Sequence, residues 1–254
     1  MTRVAVSGAG GRMGRLVCET VAAADDLDLA AGYDPAHPGL GVAGITVSDD
    51  PASLAGADVV VEFTVPSIVM DNLAVWRGLG LHAVVGTSGF GAGRVEDLRR
   101  LWGSGGPNCL VVPNFSIGAV LMMRFAEMAA PHFAASEIVE LHHDAKADAP
   151  SGTALATAAR IEEAGGRQER RVESAELAPG ARGADAGGVR VHAVRLPGLL
   201  AHQEVLLGSP GETLTIRHDT TERVAFMPGV LLAVRGVARL PVPVTVGLES
   251  LLGL

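Results

Sequence analysis

The sequence predicts an α/β fold in which a doubly wound parallel sheet precedes a second α+β domain that carries an open mixed sheet. Short, nearly all-apolar runs alternate with helical segments as far as Asn114, which is typical of a parallel sheet covered by helices on both faces. Beyond Asn114 the predicted strands mix polar and apolar residues, as in a sheet with one exposed face. The first part is therefore expected to be Rossmann-like.

The first part begins with an apolar, β-branched run, Arg3–Ser7, that stops at a glycine-rich turn. A helical stretch follows from Met13 to Ala24, so the chain starts as strand, glycine turn and helix. The further strands predicted in this part are Leu27–Tyr33, Asp58–Phe63, Ala83–Val85 and Cys109–Val112.

The second part begins with a predicted helix, Ile117–Ala130. Beyond it we predict the strands Glu137–His142, Val189–Arg195 and Glu212–His218 and the helices Thr153–Ala164 and Phe226–Ala238. The segment Gly165–Gly188 is expected to be a surface loop. Its charges do not indicate a basic binding site, because arginines and glutamates interleave: Arg167, Arg170 and Arg171 with Glu169, Glu173 and Glu176.

The composition excludes several classes of function. A net charge of −8 argues against binding to nucleic acid or to an anionic membrane surface, since phosphates need a dense basic face. No apolar run reaches the roughly 20 residues that span a bilayer, and no signal peptide is evident, so a cytoplasmic protein is expected. Cys18 and Cys109 lie in apolar stretches without neighbouring ligands, so we expect buried thiols and no metal cluster.

One lysine stands out among the basic residues. Of the 20 basic residues 19 are arginine, and the single lysine is Lys146. Its place in a chain that otherwise uses arginine suggests a need for a compact ammonium that can exchange a proton.

The glycine turn after the first strand is a candidate cofactor loop. Gly8, Gly11 and Gly14 have the spacing G-x-x-G-x-x-G, and such glycines let the backbone approach a pyrophosphate held by free N–H groups and a helix N-terminus. Asp34 follows Gly14 by 20 residues, at the end of the second strand, where a carboxylate can bind the adenosine ribose. Such an acid favours NAD, whereas Arg12 in the loop could reach a 2′-phosphate.

Two further loops follow predicted strands at the edge of the sheet where ligands bind. They are Gly86-Thr87-Ser88-Gly89 and Pro113-Asn114-Phe115-Ser116. Open α/β sheets bind ligands at the carboxyl ends of their strands, although each loop taken alone is also an ordinary turn.

The segment from Glu140 to Ala154 carries the densest set of reactive groups, including two histidines and Lys146. Histidine exchanges a proton near neutral pH, and a lysine ammonium can donate a proton or bind a carboxylate, so the set suits an anionic substrate. Ser151 can cap the following helix and leave the first N–H groups free for an anion. A metal site at His142 and His143 is disfavoured, because neighbours on a strand point to opposite faces.

These motifs together resemble the dihydrodipicolinate reductase family, also called 4-hydroxy-tetrahydrodipicolinate reductases. The resemblance spans essentially the whole chain, and the pattern H-H-x-x-K-x-D-A-P-S-G-T-A from His142 to Ala154 is its most specific part. It implies an NADH- or NADPH-dependent oxidoreductase that reduces 4-hydroxy-tetrahydrodipicolinate, a small cyclic dicarboxylate, to tetrahydrodipicolinate on the diaminopimelate route to lysine.

The resemblance also implies roles for individual residues. His142 would be the acid/base residue and Lys146 the proton donor, while His143, Gly152 and Thr153 would bind the substrate carboxylates. The dinucleotide would be held by Gly8, Ala9, Gly10, Gly11, Arg12, Met13, Asp34, Gly86, Thr87, Ser88, Val112, Pro113, Asn114 and Phe115. No metal is implied.

The domain boundaries and the assembly also come from the resemblance. The dinucleotide-binding domain would comprise residues 1–114 and 225–254, and the substrate-binding and oligomerisation domain residues 115–224. The open sheet is similar to one through which a homotetramer assembles.

Two departures and two rival interpretations accompany the resemblance. Ser88 stands where many relatives have a second threonine, and Pro35 stands where some have an arginine, so the preference between NADH and NADPH stays open. One rival is another nicotinamide-dependent dehydrogenase with a similar first domain. The other is a non-catalytic dinucleotide-binding protein.

Overall fold

The computed structural model describes residues 1–166 and 175–254, which form two compact units. Unit 1 comprises Met1–Ile117 and Phe226–Leu254, and unit 2 comprises Gly118–Ala225. The chain therefore leaves unit 1 once and returns to it after completing unit 2. The boundaries implied by the resemblance lie after residues 114 and 224.

The described residues contain thirteen strands and seven helices, numbered here along the chain. The strands are β1 (Thr2–Ser7), β2 (Leu27–Tyr33), β3 (Gly41–Val42), β4 (Ile45–Ser48), β5 (Val59–Glu62), β6 (His82–Val85), β7 (Cys109–Val111), β8 (Ala135–His142), β9 (Ala184–Ala186), β10 (Val189–Arg195), β11 (Ala201–Ser209), β12 (Glu212–Thr220) and β13 (Val244–Val246). The helices are α1 (Arg12–Ala22), α2 (Val69–Gly78), α3 (Ala92–Trp102), α4 (Ile117–Ala129), α5 (Gly152–Glu163), α6 (Met227–Gly236) and α7 (Glu249–Leu252). Within the described part of the chain, no helix is both long and apolar enough to cross a bilayer.

Unit 1 contains an eight-stranded sheet in the order β13-β7-β6-β5-β1-β2-β4-β3. All neighbouring strands run parallel except the edge pair β3 and β4. The strand order reverses on either side of β1, so the predicted doubly wound arrangement is confirmed.

Both faces of this sheet are buried, because successive side chains of a strand point to opposite sides. In β1, Val4 and Val6 join a core with residues of α1 and α6, whereas Ala5 joins a second core with residues of α2 and α3. Cys18 and Cys109 are buried in these cores as free thiols, as predicted. Burial, together with the nearby charge of Glu19, raises the pKa of Cys18 to about 12, so this thiol stays protonated.

Unit 2 contains a five-stranded sheet in the order β12-β11-β8-β10-β9. Strands β8 and β10 are parallel and the other pairs are antiparallel, which confirms the predicted mixed sheet. Ile138, Val191 and Val205 lie on the face that packs against α4 and α5. Helices therefore cover one face of this sheet, and its other face carries Glu137, Val139 and Leu141 of β8.

Two strands of unit 2 were not predicted. Strand β11 pairs with both β8 and β12, but Gln203 and Glu204 interrupt its apolar pattern. The buried Gln203 donates through Nε2 to Oγ1 of Thr157 (2.7 Å), which offsets the cost of placing an amide in the core. Strand β9 falls within the predicted loop Gly165–Gly188, so that prediction is wrong for this stretch.

The charged part of the same predicted loop lies outside the described residues. It comprises Arg167, Glu169, Arg170, Arg171 and Glu173. Glu176 lies within the described part, where its carboxylate accepts the Gly180 N–H at 3.1 Å.

Candidate functional site

The predicted cofactor loop lies between β1 and α1 and depends on glycine at two close approaches. Gly8 has a φ of +79°, and a Cβ there would lie 2.2 Å from the Phe63 carbonyl oxygen. A Cβ at Gly14 would lie 2.0 Å from the Gly8 oxygen. The loop is held by hydrogen bonds from Gly8 N to Tyr33 O (2.8 Å) and from Gly11 N to Gly8 O (3.0 Å). Any larger residue at Gly8 or Gly14 would push the strand and the helix apart.

Helix α1 begins at Arg12 directly after this loop. Gly11 occupies the N-cap position and provides no side chain to cap the first turn. The first N–H groups of a helix have no partner inside it and attract negative charge. The loop therefore fits a pyrophosphate. Ala9 is buried and Met13 packs against the same core, while the Arg12 side chain is exposed.

Asp34 is buried at the end of β2 and braces the loop. Its Oδ2 accepts the Gly10 N–H (3.0 Å) and lies 3.1 Å from Nδ1 of His37, while its Oδ1 accepts the Ala36 N–H (3.0 Å). A Cβ at Gly10 would meet the His37 ring at 2.5 Å. The predicted ribose carboxylate is thus linked directly to the glycine loop, and His37 is a neighbour that the sequence did not indicate.

Phe63, which follows β5, connects three predicted cofactor loops. Its carbonyl packs against Gly8, and its ring lies 5.4 Å from the Phe115 ring, measured between centroids. A Cβ at Gly86 would lie 2.2 Å from the Phe63 ring and 2.8 Å from the Phe115 ring. Gly86 therefore allows both rings to meet beside the ends of β6 and β7.

The loop after β6 is tied to the end of β5. Gly86 N donates to the Glu62 carbonyl (2.9 Å), and Oγ1 of the buried Thr87 accepts the Thr64 N–H (2.9 Å). The Glu62 side chain is itself fully buried and accepts Nε1–H of Trp76 at 2.8 Å. These contacts fix the backbone of residues 86 and 87.

The remaining cofactor candidates of unit 1 differ in exposure. Ser88 and Pro113 are exposed, whereas Val112 is buried in the core. Asn114 shapes the turn after β7, because its Oδ1 accepts the Ser116 N–H at 2.9 Å. Ser88 and Pro113, like Arg12, are therefore candidates in unit 1 that are accessible to a ligand.

In unit 2, the predicted catalytic segment is organised by the Glu140 side chain. This carboxylate is completely buried near the end of β8. Its Oε2 accepts from Nη1 of Arg195 (2.8 Å) and lies 2.5 Å from Nδ1 of His142. Its Oε1 accepts from Nη2 of Arg195 (2.9 Å) and from the Ser151 N–H (3.0 Å). One carboxylate thus joins His142 to the residue that caps α5.

The ionisation states of this cluster follow from its burial and charges. Burial opposes ionisation of Glu140, but the hydrogen bonds from Arg195 and His142 outweigh it and hold the pKa of Glu140 below its usual value. Burial lowers the pKa of His142, and the charges of Lys146 and Arg195 lower it further, against the opposing effect of Glu140. Near neutral pH the pair is therefore a carboxylate beside a neutral imidazole.

Lys146 is connected to the same cluster. Its Nζ donates to Oδ1 of Asp148 (2.6 Å), and this bond is the main cause of the lowered pKa of Asp148. The backbone carbonyl of Asp148 in turn accepts from Nη2 of Arg195 (2.6 Å). Within the turn that carries Lys146, the Lys146 N–H donates to the His143 carbonyl (3.2 Å). Lys146, Asp148, Arg195, Glu140 and His142 form one continuous network.

Helix α5 presents its N-terminus next to this network. Oγ of Ser151 accepts the Ala154 N–H (3.2 Å), which confirms the predicted N-cap. Gly152 is exposed, and a Cβ there would meet no atom within 4 Å, so the space beside it is open. The half-buried Thr153 accepts through its carbonyl from Oγ1 of Thr157 (2.8 Å). Across residues 1–166 and 175–254, no group of three or more His, Cys, Asp or Glu side chains could hold a metal ion.

Comparison with known proteins decides the family. A family model described as "Dihydrodipicolinate reductase, N-terminus" matches residues 2–115, and one described as "Dihydrodipicolinate reductase, C-terminus" matches residues 118–252. The chain belongs to the dihydrodipicolinate reductase family. The resemblance seen in the sequence is thereby confirmed, and with it the predicted class, an oxidoreductase.

Full-length relatives support the same assignment. The 4-hydroxy-tetrahydrodipicolinate reductases of Thermobifida fusca and Nocardia farcinica are 54% and 52% identical to this chain, and the alignments cover 100% and 99% of each sequence. The structure described as dipicolinate-bound dihydrodipicolinate reductase from Paenisporosarcina sp. TG-14 is 36% identical, with a TM-score of 0.85 over 98% of this chain and 99% of that one. The first segment of unit 1 thus corresponds to the N-terminal part of a family reductase, and unit 2 lies within the match to the C-terminal part.

Sequence reasoning missed several residues that hold the site together. Glu140 begins the segment of reactive groups but has no role assigned from the sequence, and Arg195 lies far from His142 along the chain. Phe63 ended a predicted strand without a role. A charged residue at a strand position whose neighbour two residues away is apolar, as Glu140 is to Ile138, is the signal that could have found one of them.

Substituting Gly86 tests the packing of the cofactor loops. We expect Gly86→Ala to weaken NADH binding about tenfold or more, because the added Cβ displaces the Phe63 and Phe115 rings. Fluorescence titration of NADH measures the change. Gly91→Ala is the matched control, since a Cβ at Gly91 meets nothing within 4 Å. Equal affinities for the two variants would contradict the packing argument.

Proposed function

We propose that this chain reduces 4-hydroxy-tetrahydrodipicolinate to tetrahydrodipicolinate with NADH or NADPH, in the cytoplasm, on the diaminopimelate route to lysine. The observation that carries the proposal is the single hydrogen-bonded network that joins His142, Lys146 and the start of α5. It provides an ammonium, an imidazole and free helix N–H groups in one place, which suits a substrate with two negative charges. The dipicolinate bound to the Paenisporosarcina relative is a cyclic dicarboxylate of this class.

Unit 1 would hold the dinucleotide, which supplies a hydride when bound. The glycine loop and the first turn of α1 fit the pyrophosphate, and Asp34 would accept the hydroxyls of the adenosine ribose. The loops at Gly86–Ser88 and Val112–Phe115 would hold the nicotinamide end. Asp34 favours NADH, whereas the exposed Arg12 offers a positive charge to the 2′-phosphate of NADPH, so the proposal includes both cofactors.

Unit 2 would bind and protonate the substrate. The N–H groups of Gly152 and Thr153, together with His143, would hold the two carboxylates. Lys146 would donate a proton from Nζ to the carbon next to the reduced position, and Asp148 keeps that ammonium oriented. His142 would act as the acid/base residue beside it. Positive charge around the ring offsets the negative charge that develops during reduction.

An assay of the purified chain with enzymatically generated substrate tests the proposal directly. The absorbance of reduced nicotinamide should fall on addition of substrate, and parallel runs with NADH and NADPH measure the cofactor preference. Bound NADH without oxidation of either cofactor would instead favour a non-catalytic dinucleotide-binding protein. Oxidation of NADH or NADPH with another carbonyl or imine substrate, but not with 4-hydroxy-tetrahydrodipicolinate, would favour a different dehydrogenase.

Substituting Lys146 separates proton donation from cofactor binding. We expect Lys146→Ala to lower kcat by about 10²-fold or more and to leave the NADH dissociation constant unchanged, because Lys146 belongs to unit 2. Steady-state kinetics and fluorescence titration of NADH measure the two effects.

Lys146→Arg is the matched control for the same position. It retains the positive charge, so KM for the substrate should change little, but a guanidinium does not release its proton near neutral pH and kcat should remain low. Losses of NADH affinity as large as the loss of kcat would contradict the assigned role.

We also propose that the chain assembles as a homotetramer through the face of the unit 2 sheet that helices do not cover. This face carries the apolar side chains of Val139, Leu141, Val194 and Leu206 between charged pairs such as Arg217 with Glu204. An apolar surface of this kind on an open mixed sheet is stabilised by burial against a second copy.

A charge placed on this face tests the assembly. Leu206→Arg should convert the tetramer to smaller species, because it would bury an unpaired guanidinium at the interface. Light scattering after size-exclusion chromatography measures the mass. Leu101→Arg is the control, since Leu101 has the same 37% exposure but lies on α3 of unit 1. A tetramer that survives the first substitution, or dissociates with both, would rule out this face.

A further inference from the structure

The Glu140 carboxylate is more deeply buried than Asp148, the other acidic group of the unit 2 network. It is completely buried, whereas Asp148 and Lys146 remain partly accessible to solvent. Four hydrogen bonds converge on its two oxygens, from His142, from both Nη atoms of Arg195 and from the Ser151 N–H. Burying a charged carboxylate costs free energy, and the hydrogen bonds to both of its oxygens offset that cost. Such an arrangement indicates a specific role.

The sheet register brings these groups together. Glu140 and His142 are two residues apart on β8, so their side chains lie on the same face of the sheet. Strand β10 runs parallel to β8 and pairs Arg195 with His142, which places the guanidinium on that face as well. The geometry is therefore set by two adjacent strands and does not depend on a loop.

We infer that Glu140 is a positioning residue for His142, an inference that rests on the proposed reductase function. An ionised carboxylate can only accept hydrogen bonds, so the imidazole nitrogen that faces it, Nδ1, must carry a hydrogen. Glu140 thereby fixes the neutral His142 as the Nδ1–H tautomer and leaves the lone pair on Nε2. The atom that exchanges a proton with substrate or water is then Nε2.

The same carboxylate ties the orientation of His142 to the anion site. Its Oε1 accepts the N–H of Ser151, the N-cap of α5, while Arg195 bridges Glu140 to the carbonyl of Asp148. The charged groups that act on His142 are therefore Glu140 on β8, Arg195 on β10 and Lys146 on the turn before α5, where Lys146 is itself paired with Asp148. Among them it is the Glu140 carboxylate that hydrogen-bonds Nδ1 of the imidazole.

A second carboxylate on the same strand provides a matched control. Glu137 also accepts hydrogen bonds from a histidine and an arginine, His192 and Arg182. It lies on the opposite face of β8, and His192 contacts it through Nε2 at 2.8 Å. Glu137→Gln therefore repeats the chemical change of Glu140→Gln outside the network.

The experiment replaces Glu140 with glutamine. An amide has one acceptor oxygen and a donor NH2, so it cannot satisfy all four donors that meet the carboxylate. We expect Glu140→Gln to lower kcat by about 10²-fold, within the range that a positioned acid/base group contributes. The NADH dissociation constant should not change, because the residue belongs to unit 2.

The pH profile and the tautomer distinguish positioning from a structural role. Glu140 raises the pKa of His142, so its neutralisation should move the His142 limb of the kcat/KM profile to lower pH, whichever protonation state is active. Proton–nitrogen correlation NMR, with His142 assigned by comparison with His142→Gln, should show hydrogen on Nδ1 in the wild-type chain. In Glu140→Gln the Nδ1–H population should fall.

Several outcomes would overturn the inference. The first is a hydrogen on Nε2 of neutral His142 in the wild-type chain. The second is a kcat/KM pH profile whose His142 limb does not move in Glu140→Gln. The third is a Glu137→Gln profile in which that limb moves as far as it does in Glu140→Gln. The wild-type tautomer decides the question even where Glu140→Gln does not fold, and light scattering checks that both variants assemble alike. The NMR result does not require turnover, so a wild-type chain without reductase activity would reject the proposed function separately.

Discussion

The buried ion pair between Glu140 and Arg195 is the interaction on which unit 2 depends. It neutralises a carboxylate inside the sheet and leaves that carboxylate with capacity to accept from His142 and from the backbone at the start of α5. Without the bidentate guanidinium, an isolated buried charge would cost several kcal/mol. The ammonium of Lys146 joins through Asp148, so the imidazole, the ammonium and the start of α5 share one hydrogen-bonded support.

Unit 1 achieves comparable rigidity by close packing. Glycines at positions 8, 14 and 86 bring backbone and aromatic rings to distances that any Cβ would prevent. Phe63 connects the glycine loop with the loops after β6 and β7, so a displacement at one of them is transmitted to the others. Side-chain hydrogen bonds stabilise the site in unit 2, whereas in unit 1 close van der Waals contacts add to the hydrogen bonds of the loops.

The sequence was most informative where local chemistry determines structure. Apolar strands alternating with helices predicted the parallel sheet, and a serine just before a predicted helix predicted the N-cap at Ser151. Strand β11 was missed because its buried amide, Gln203, donates through Nε2 to Thr157 of helix α5, a partner far away in the sequence. The roles of Glu140 and Arg195 were missed for the same physical reason. Pairing across strands is a tertiary contact, and the sequence around either residue does not show which distant residue it pairs with.

The interrupted course of unit 1 has a consequence for synthesis. Unit 2 is continuous from Gly118 to Ala225, whereas unit 1 lacks α6 and the edge strand β13 until the chain beyond Ala225 is made. The ribosome therefore releases all of unit 2 before the core of unit 1 can close. Until then the apolar surfaces of α1 and β6 that α6 contacts are exposed to water, and a nascent chain paused at this point would offer chaperones an apolar target.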